Sequence, residues 1–195
     1  MSTRVLVIPE DATYNGYVVK PLVERIFREI GTARAQVNVC RTPAVHGKDT
    51  VRGLLPEILD RHPHTDLFLY FQDSDLQPTE GAFQYLERIA DRANQRLICV
   101  AAQPELEIYP LASVRAQIQT ELGIGWPELR NHHRLKEECF EVMADRLRLA
   151  GGPGKGRLTL MQQALQNYRG LEAICEELVT LRERIAEFLE SQRAR

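Results

Sequence analysis

The run Leu67-Phe68-Leu69-Tyr70-Phe71 restricts the fold more than any other stretch of this sequence, because every residue in it is apolar or aromatic. A strand with one wet face alternates apolar and polar residues, whereas a strand covered on both faces does not. With Asp66 at its start, the run predicts a central strand of a parallel sheet with helices on both sides. Three further runs fit the same sheet: Arg4 to Ile8, Ala35 to Cys40 and Arg96 to Ala102. Between them the apolar period lengthens to that of a helix. Tyr17 to Ile30 carries Val19, Leu22, Val23, Ile26 and Phe27 on one stripe, and Pro21 places the helix start near Val19. Asp49 to Leu59 predicts a second helix, interrupted near Gly53 or Pro56. A third is capped by Thr79 and runs to about Ala93.

After Ala102 the strand signal ends. Pro104 to Thr120 predicts a turn-rich helical connector, and His132 to Leu149 and Leu158 to Tyr168 predict helices. Leu171 to Glu190 predicts one long helix, whose apolar face needs cover from this domain or from another chain in a homodimer or partner contact. The expected architecture is α/β: a Rossmann-like parallel sheet of about four strands in residues 1–112, with a helical C-terminal extension, residues 113–195, packed on it.

Composition narrows the function classes. With 44% hydrophobic residues and a formal net charge of -2, the chain has apolar surface enough to fold and is no strongly cationic nucleic-acid binder. No stretch approaches the roughly 20 apolar residues of a membrane helix. The charged run opening at Arg4 does not resemble a secretion leader, which points to the cytoplasm. Cys40, Cys99, Cys139 and Cys175 lie far apart, without paired metal spacing, and read as buried hydrophobes.

The chemistry gathers at strand ends. In an open parallel sheet, ligands bind beyond the carboxyl ends of the strands. Three of the four predicted strands lead there into acids: Glu10-Asp11, Asp73-Ser74-Asp75 and Glu105-Leu106-Glu107. Carboxylates gathered in this way repel one another unless a cation neutralises them. Oxygen donors without His or Cys partners suit Mg²⁺ or Mn²⁺.

An acid closing strand one and Asp-x-Asp closing strand three resemble the TOPRIM domains, the metal-dependent catalytic domains of topoisomerases, primases and several nucleases. Val5-Leu6-Val7-Ile8-Pro9-Glu10 resembles the family's strand-Glu segment, with Asp11 where the family usually has Gly. Leu67 to Asp75 resembles its strand-Asp-x-Asp segment. Glu105-Leu106-Glu107-Ile108-Tyr109 resembles a segment of small TOPRIM proteins found beside ATPases in bacterial defence systems, with Tyr109 where tryptophan is usual. This resemblance implies a Mg²⁺-dependent nuclease that hydrolyses phosphodiesters of DNA or RNA, as an anti-phage defence effector with an ATPase partner. It implies that Asp73 and Asp75 hold the metal, that Glu105 or Glu107 completes the cage, and that Glu10 is the catalytic general acid or base.

Two alternatives use overlapping residues. A non-catalytic TOPRIM-like scaffold would act through a partner. A phosphoreceiver-like regulator would use Glu10, Asp11 and Asp73, but needs a hydroxyl after strand four and a lysine after strand five; here strand four ends in Ala101-Ala102. For nucleic acid, positive charge is concentrated after the sheet, where Arg130, Arg134, Lys136, Lys155 and Arg157 are candidates for phosphate contacts. Three further features read as ordinary structure. Gly151 to Gly156 lacks Walker spacing, the adjacent His132 and His133 face apart on a helix, and Trp126 reads as packing.

Overall fold

The computed structural model describes residues 2–32 and 35–194. Four parallel strands, β1 (Thr3–Pro9), β2 (Ala35–Val39), β3 (Leu67–Asp73) and β4 (Leu97–Ala102), form one sheet in the order β2-β1-β3-β4. All four lie where the apolar runs predict them. The register pairs Val7 with Leu69 and Phe71 with Val100, so the two central strands are apolar on both faces.

Successive side chains of a strand point to opposite faces, and this sorts the core into two layers. Val5, Val7, Leu67, Leu69, Phe71, Ile98 and Val100 point to one face. There they pack with α1 (Gly16–Glu29) and the helices of the C-terminal half. Leu6, Ile8, Phe68, Tyr70, Leu97 and Cys99 point to the other, beneath α2 (Lys48–Arg61) and α3 (Glu80–Arg92). The chain leaves β1 over one face toward β2 and leaves β3 over the other toward β4. The strand order thus reverses between β1 and β3, and such a switch point opens a crevice at the carboxyl edge.

The remaining helices are α4 (Ile108–Leu111), α5 (Arg115–Leu122), α6 (Trp126–Leu129), α7 (Glu141–Arg146), α8 (Arg157–Gln166), α9 (Tyr168–Glu172) and α10 (Glu176–Arg193). A π-helical turn, Lys136–Phe140, precedes α7.

Several helix boundaries differ from the sequence expectation. α1 starts a turn earlier than Pro21 suggests, because the Asn15 carbonyl accepts the Val18 and Val19 N–H groups and opens the helix ahead of the proline. α2 runs through both Gly53 and Pro56, held by buried Val51, Leu55, Ile58 and Leu59. The predicted helix from His132 to Leu149 is shorter than expected, opening after Arg134 with the π turn and continuing without a break into α7, which ends at Arg146. The predicted tail helix is divided between α9 and α10, with Cys175 in a non-helical conformation at φ -131°. The apolar face of α10 is covered within the chain, where Leu178, Leu181, Ile185, Phe188 and Leu189 are all buried. Arg184 fixes it across β4, donating to Glu87 at 2.8 Å and to the Cys99 carbonyl at 3.4 Å. Among the described residues, no helix is long and apolar enough to cross a membrane. All four cysteines are buried and free.

Candidate active site at the carboxyl edge

Glu10 is the first residue beyond β1. Its carbonyl accepts the Gly47 N–H at 3.2 Å, and Asp11 bridges to His46, so the start of α2 is drawn against the end of β1. The Asp11 carboxylate is engaged in its own turn, accepting the Thr13 N–H at 2.7 Å.

Asp73 closes β3 beside it. One carboxylate oxygen accepts the Leu106 N–H at 2.8 Å. The Ser74 and Asp75 N–H groups donate to the Ala102 and Pro104 carbonyls, lashing the end of β3 to the segment after β4. That lashing brings the Glu105-Leu106-Glu107 segment to the same edge. Glu105 accepts the Lys136 N–H at 2.8 Å, which anchors the π turn there. Asp75 adopts φ 49° at the exposed rim and pairs with Lys48 at 3.1 Å.

Glu107 has a different role. Only 2% exposed, it accepts from the guanidinium of Arg157, itself 1% exposed, with an Nε–Oε1 distance of 3.0 Å. Arg157 also donates to the Gly154 carbonyl at 3.0 Å and lies over the rings of Phe140 and Tyr14. One buried cation therefore ties together the loop after β1, the acidic segment, the π turn and the glycine-rich loop. That loop is tightly seated. Gly154 has φ 62°, and a Cβ there would fall 2.7 Å from the Tyr17 ring. The requirement for glycine is thus steric.

The edge carries strong like-charge coupling. Burial, then Asp75, raises the Glu10 carboxyl to about 7, against the opposing pull of Lys48 and the Tyr70 hydroxyl. Burial raises Asp73 well above the carboxylate range, and Glu107 and Glu10 push it further. Burial likewise raises Glu105 to about 7, although the Lys136 N–H favours its ionised form. Oε1 of Glu10 is buried without a hydrogen-bond partner. Glu10, Asp73, Asp75, Glu105 and Glu107 thus belong to one electrostatic cluster. Among the described residues, however, no three His, Cys, Asp or Glu side chains are grouped closely enough to hold a metal ion as they stand.

The five basic candidates separate. Lys155 is exposed, 5.2 Å above the Tyr14 ring, and Arg134 is exposed beside Glu138 at 2.9 Å. Arg130 is engaged by Glu177 through two bonds of 2.6 and 2.9 Å, and Lys136 meets the site through its backbone. Arg157, expected to face nucleic acid, is instead the buried counterion of Glu107. Three residues at the site were missed from sequence: Lys48, Tyr70 and Tyr14. Lys48 was legible in principle. It opens the helix after β2, and in a parallel α/β fold that first turn returns to the carboxyl edge.

No protein-family model, curated protein or solved structure matches this chain.

Proposed function

We propose that this chain is a divalent-cation-dependent phosphodiesterase of TOPRIM-like character acting on DNA or RNA. The observation that carries the reading is the pair Glu10 and Asp73 at the switch point. Burial raises the proton affinity of both, Glu10 raises that of Asp73 further, and Glu10 presents a buried carboxylate oxygen with no hydrogen-bond partner. This chemistry fits Mg²⁺ or Mn²⁺, since every nearby side-chain donor is a hard oxygen and the stored repulsion is what a cation would relieve. Asp73 would hold the ion, with Asp75 and Glu105 drawn in toward it from their present positions, which are too far apart to form a cage; Glu107 already has its counterion in Arg157. When bound, the cation would stabilise negative charge on the phosphodiester oxygens.

Glu10 handles the proton. With a pKa of about 7 it is close to half ionised at neutral pH. It can accept a proton from an attacking water or deliver one to the departing oxygen. Lys48 and Arg157 keep Asp75 and Glu107 from adding full uncompensated charge to an edge that must receive an anion. The setting of a defence effector with an ATPase partner is supported by the TOPRIM resemblance.

The scaffold reading has one observation in its favour: two of the five acids, Asp75 and Glu107, are already neutralised by cations of the chain. The receiver reading loses ground, since among the described residues the sheet has four strands and no fifth to carry its lysine. Cleavage of end-labelled DNA and RNA with Mg²⁺ or Mn²⁺ distinguishes the first two. The wild type should cleave, and Asp73→Asn and Glu10→Gln should not. Function through a partner that survives both substitutions would establish the scaffold instead.

A further inference from the structure

A second feature of the carboxyl edge lies on the other side of the Lys48–Asp75 pair. Between the first turns of α2 and α3 is a cavity of about 170 Å³. Its polar lining includes Lys48, Asp49, Arg52, Gln72, Ser74 and Thr79, and Leu86 lies on its apolar wall. Gln72 is 7% exposed, and its amide oxygen accepts the Tyr70 hydroxyl at 3.1 Å, while its amide nitrogen has no partner among the described residues. That nitrogen is left free to donate to whatever fills the cavity that Gln72 lines.

The other groups make the same demand. The Arg52 guanidinium lies 5.7 Å over the Tyr85 ring, with no carboxylate bound to it among the described residues. Lys48 retains donors beyond the one directed at Asp75. Thr79, the N-cap of α3, makes no side-chain cap bond, and Pro78, Thr79 and Ala82 at the start of this 13-residue helix line the cavity, where its first-turn N–H groups have no intrahelical partner. Asp49 also lines the cavity, and Lys48 is shared with Asp75, so Arg52 is its cation without a carboxylate partner among the described residues. The space is smaller than the roughly 300 Å³ at which pockets begin to hold drug-sized ligands. It suits a phosphoryl group, not a nucleoside.

We infer that this cavity is a phosphate subsite, holding a backbone phosphate next to the one presented to Glu10 and Asp73. It supplies what the acidic edge lacks, a donor-rich seat in which Arg52 has no carboxylate partner among the described residues. The inference rests on the phosphodiesterase reading for the identity of the phosphate, and on the cavity alone for its binding.

The test is ¹H–¹⁵N NMR of the full chain in EDTA, titrated separately with inorganic phosphate and the trinucleotide TpTpT. Both ligands should shift the Gln72 side-chain amide and the backbone amides of Gly81 and Ala82. Arg52→Gln, at an exposed position, should weaken both by about tenfold. Absence of shifts at these amides, or equal binding by Arg52→Gln, overturns the inference. Shifts with phosphate but not TpTpT also overturn it, as they would assign the cavity to a free phosphate. Because no cation or cleavage is involved, binding of both ligands without nuclease activity would uphold the subsite and defeat the phosphodiesterase reading. Cleavage without it would do the reverse.

Discussion

Replacing Glu10 with Gln should stabilise the protein, and only at high pH. In the native state the Glu10 carboxyl is raised from 4.5 to about 7, chiefly by burial and then by Asp75. Between those values the folded chain holds a proton that the unfolded chain has released. Stability therefore falls as pH rises from about 4.5 to 7 and stays reduced above that. At about 1.4 kcal/mol per pKa unit the full difference would approach about 3 kcal/mol. Glu10 keeps partial contact with water, which screens the charge and reduces the effect to about 1–2 kcal/mol. Glutamine retains the shape and an acceptor oxygen but carries no charge. Urea unfolding of wild type and Glu10→Gln at pH 5, 6, 7 and 8.5 should show near equality at pH 5. At pH 8.5 the variant should be more stable by about 1–2 kcal/mol, equivalent to about 2–8 °C in melting temperature for a chain of this size. A stability difference independent of pH, or a variant less stable at pH 8.5, would refute the electrostatic account of the edge.

Arg157 and Glu107 should behave as one unit. Arg157→Met or Glu107→Leu alone leaves a buried charge unpaired and should cost about 3–5 kcal/mol by urea unfolding, and the double substitution should cost less than the sum of the two. Lys155, exposed above Tyr14, should contribute one phosphate contact. Lys155→Ala should then lower the slope of log affinity against log salt by about 1 on duplex DNA in a fluorescence anisotropy titration, leaving the fold unchanged. The same slope in both proteins would remove Lys155 from the interface.

The strands were legible because burial on both faces leaves an unmistakable run in sequence. Leu67 to Phe71 could only be central, and the acids after β1, β3 and β4 followed to one edge by topology alone. Helix ends were harder to read. Pro21 and Pro56 suggest breaks to local rules, but packing of Val18, Val19 and Leu22, and of Leu55 and Ile58, outweighs one lost hydrogen bond per helix. Cys175 carries no breaker signal, yet the helix is interrupted there, with the Cys175 side chain itself buried in the core. Charge was the least legible quantity. Arg157 and Lys155 stand two residues apart in one basic stretch, and only tertiary structure shows that one is buried against Glu107 and the other exposed. The cavity between α2 and α3 was invisible for a related reason, since Lys48, Gln72 and Thr79 come from three separate segments.

Cleavage assays depend on choosing the right substrate, whereas the cation site does not. The most direct measurement is Mn²⁺ binding by electron paramagnetic resonance at pH 8, on wild type, Asp73→Asn and Glu10→Gln. The account predicts stoichiometric binding by wild type, loss of that binding in Asp73→Asn, and retention of most of it in Glu10→Gln. Wild type that leaves the Mn²⁺ free, or Asp73→Asn that binds it as wild type does, would contradict the claim that this acidic edge is a cation-dependent catalytic site.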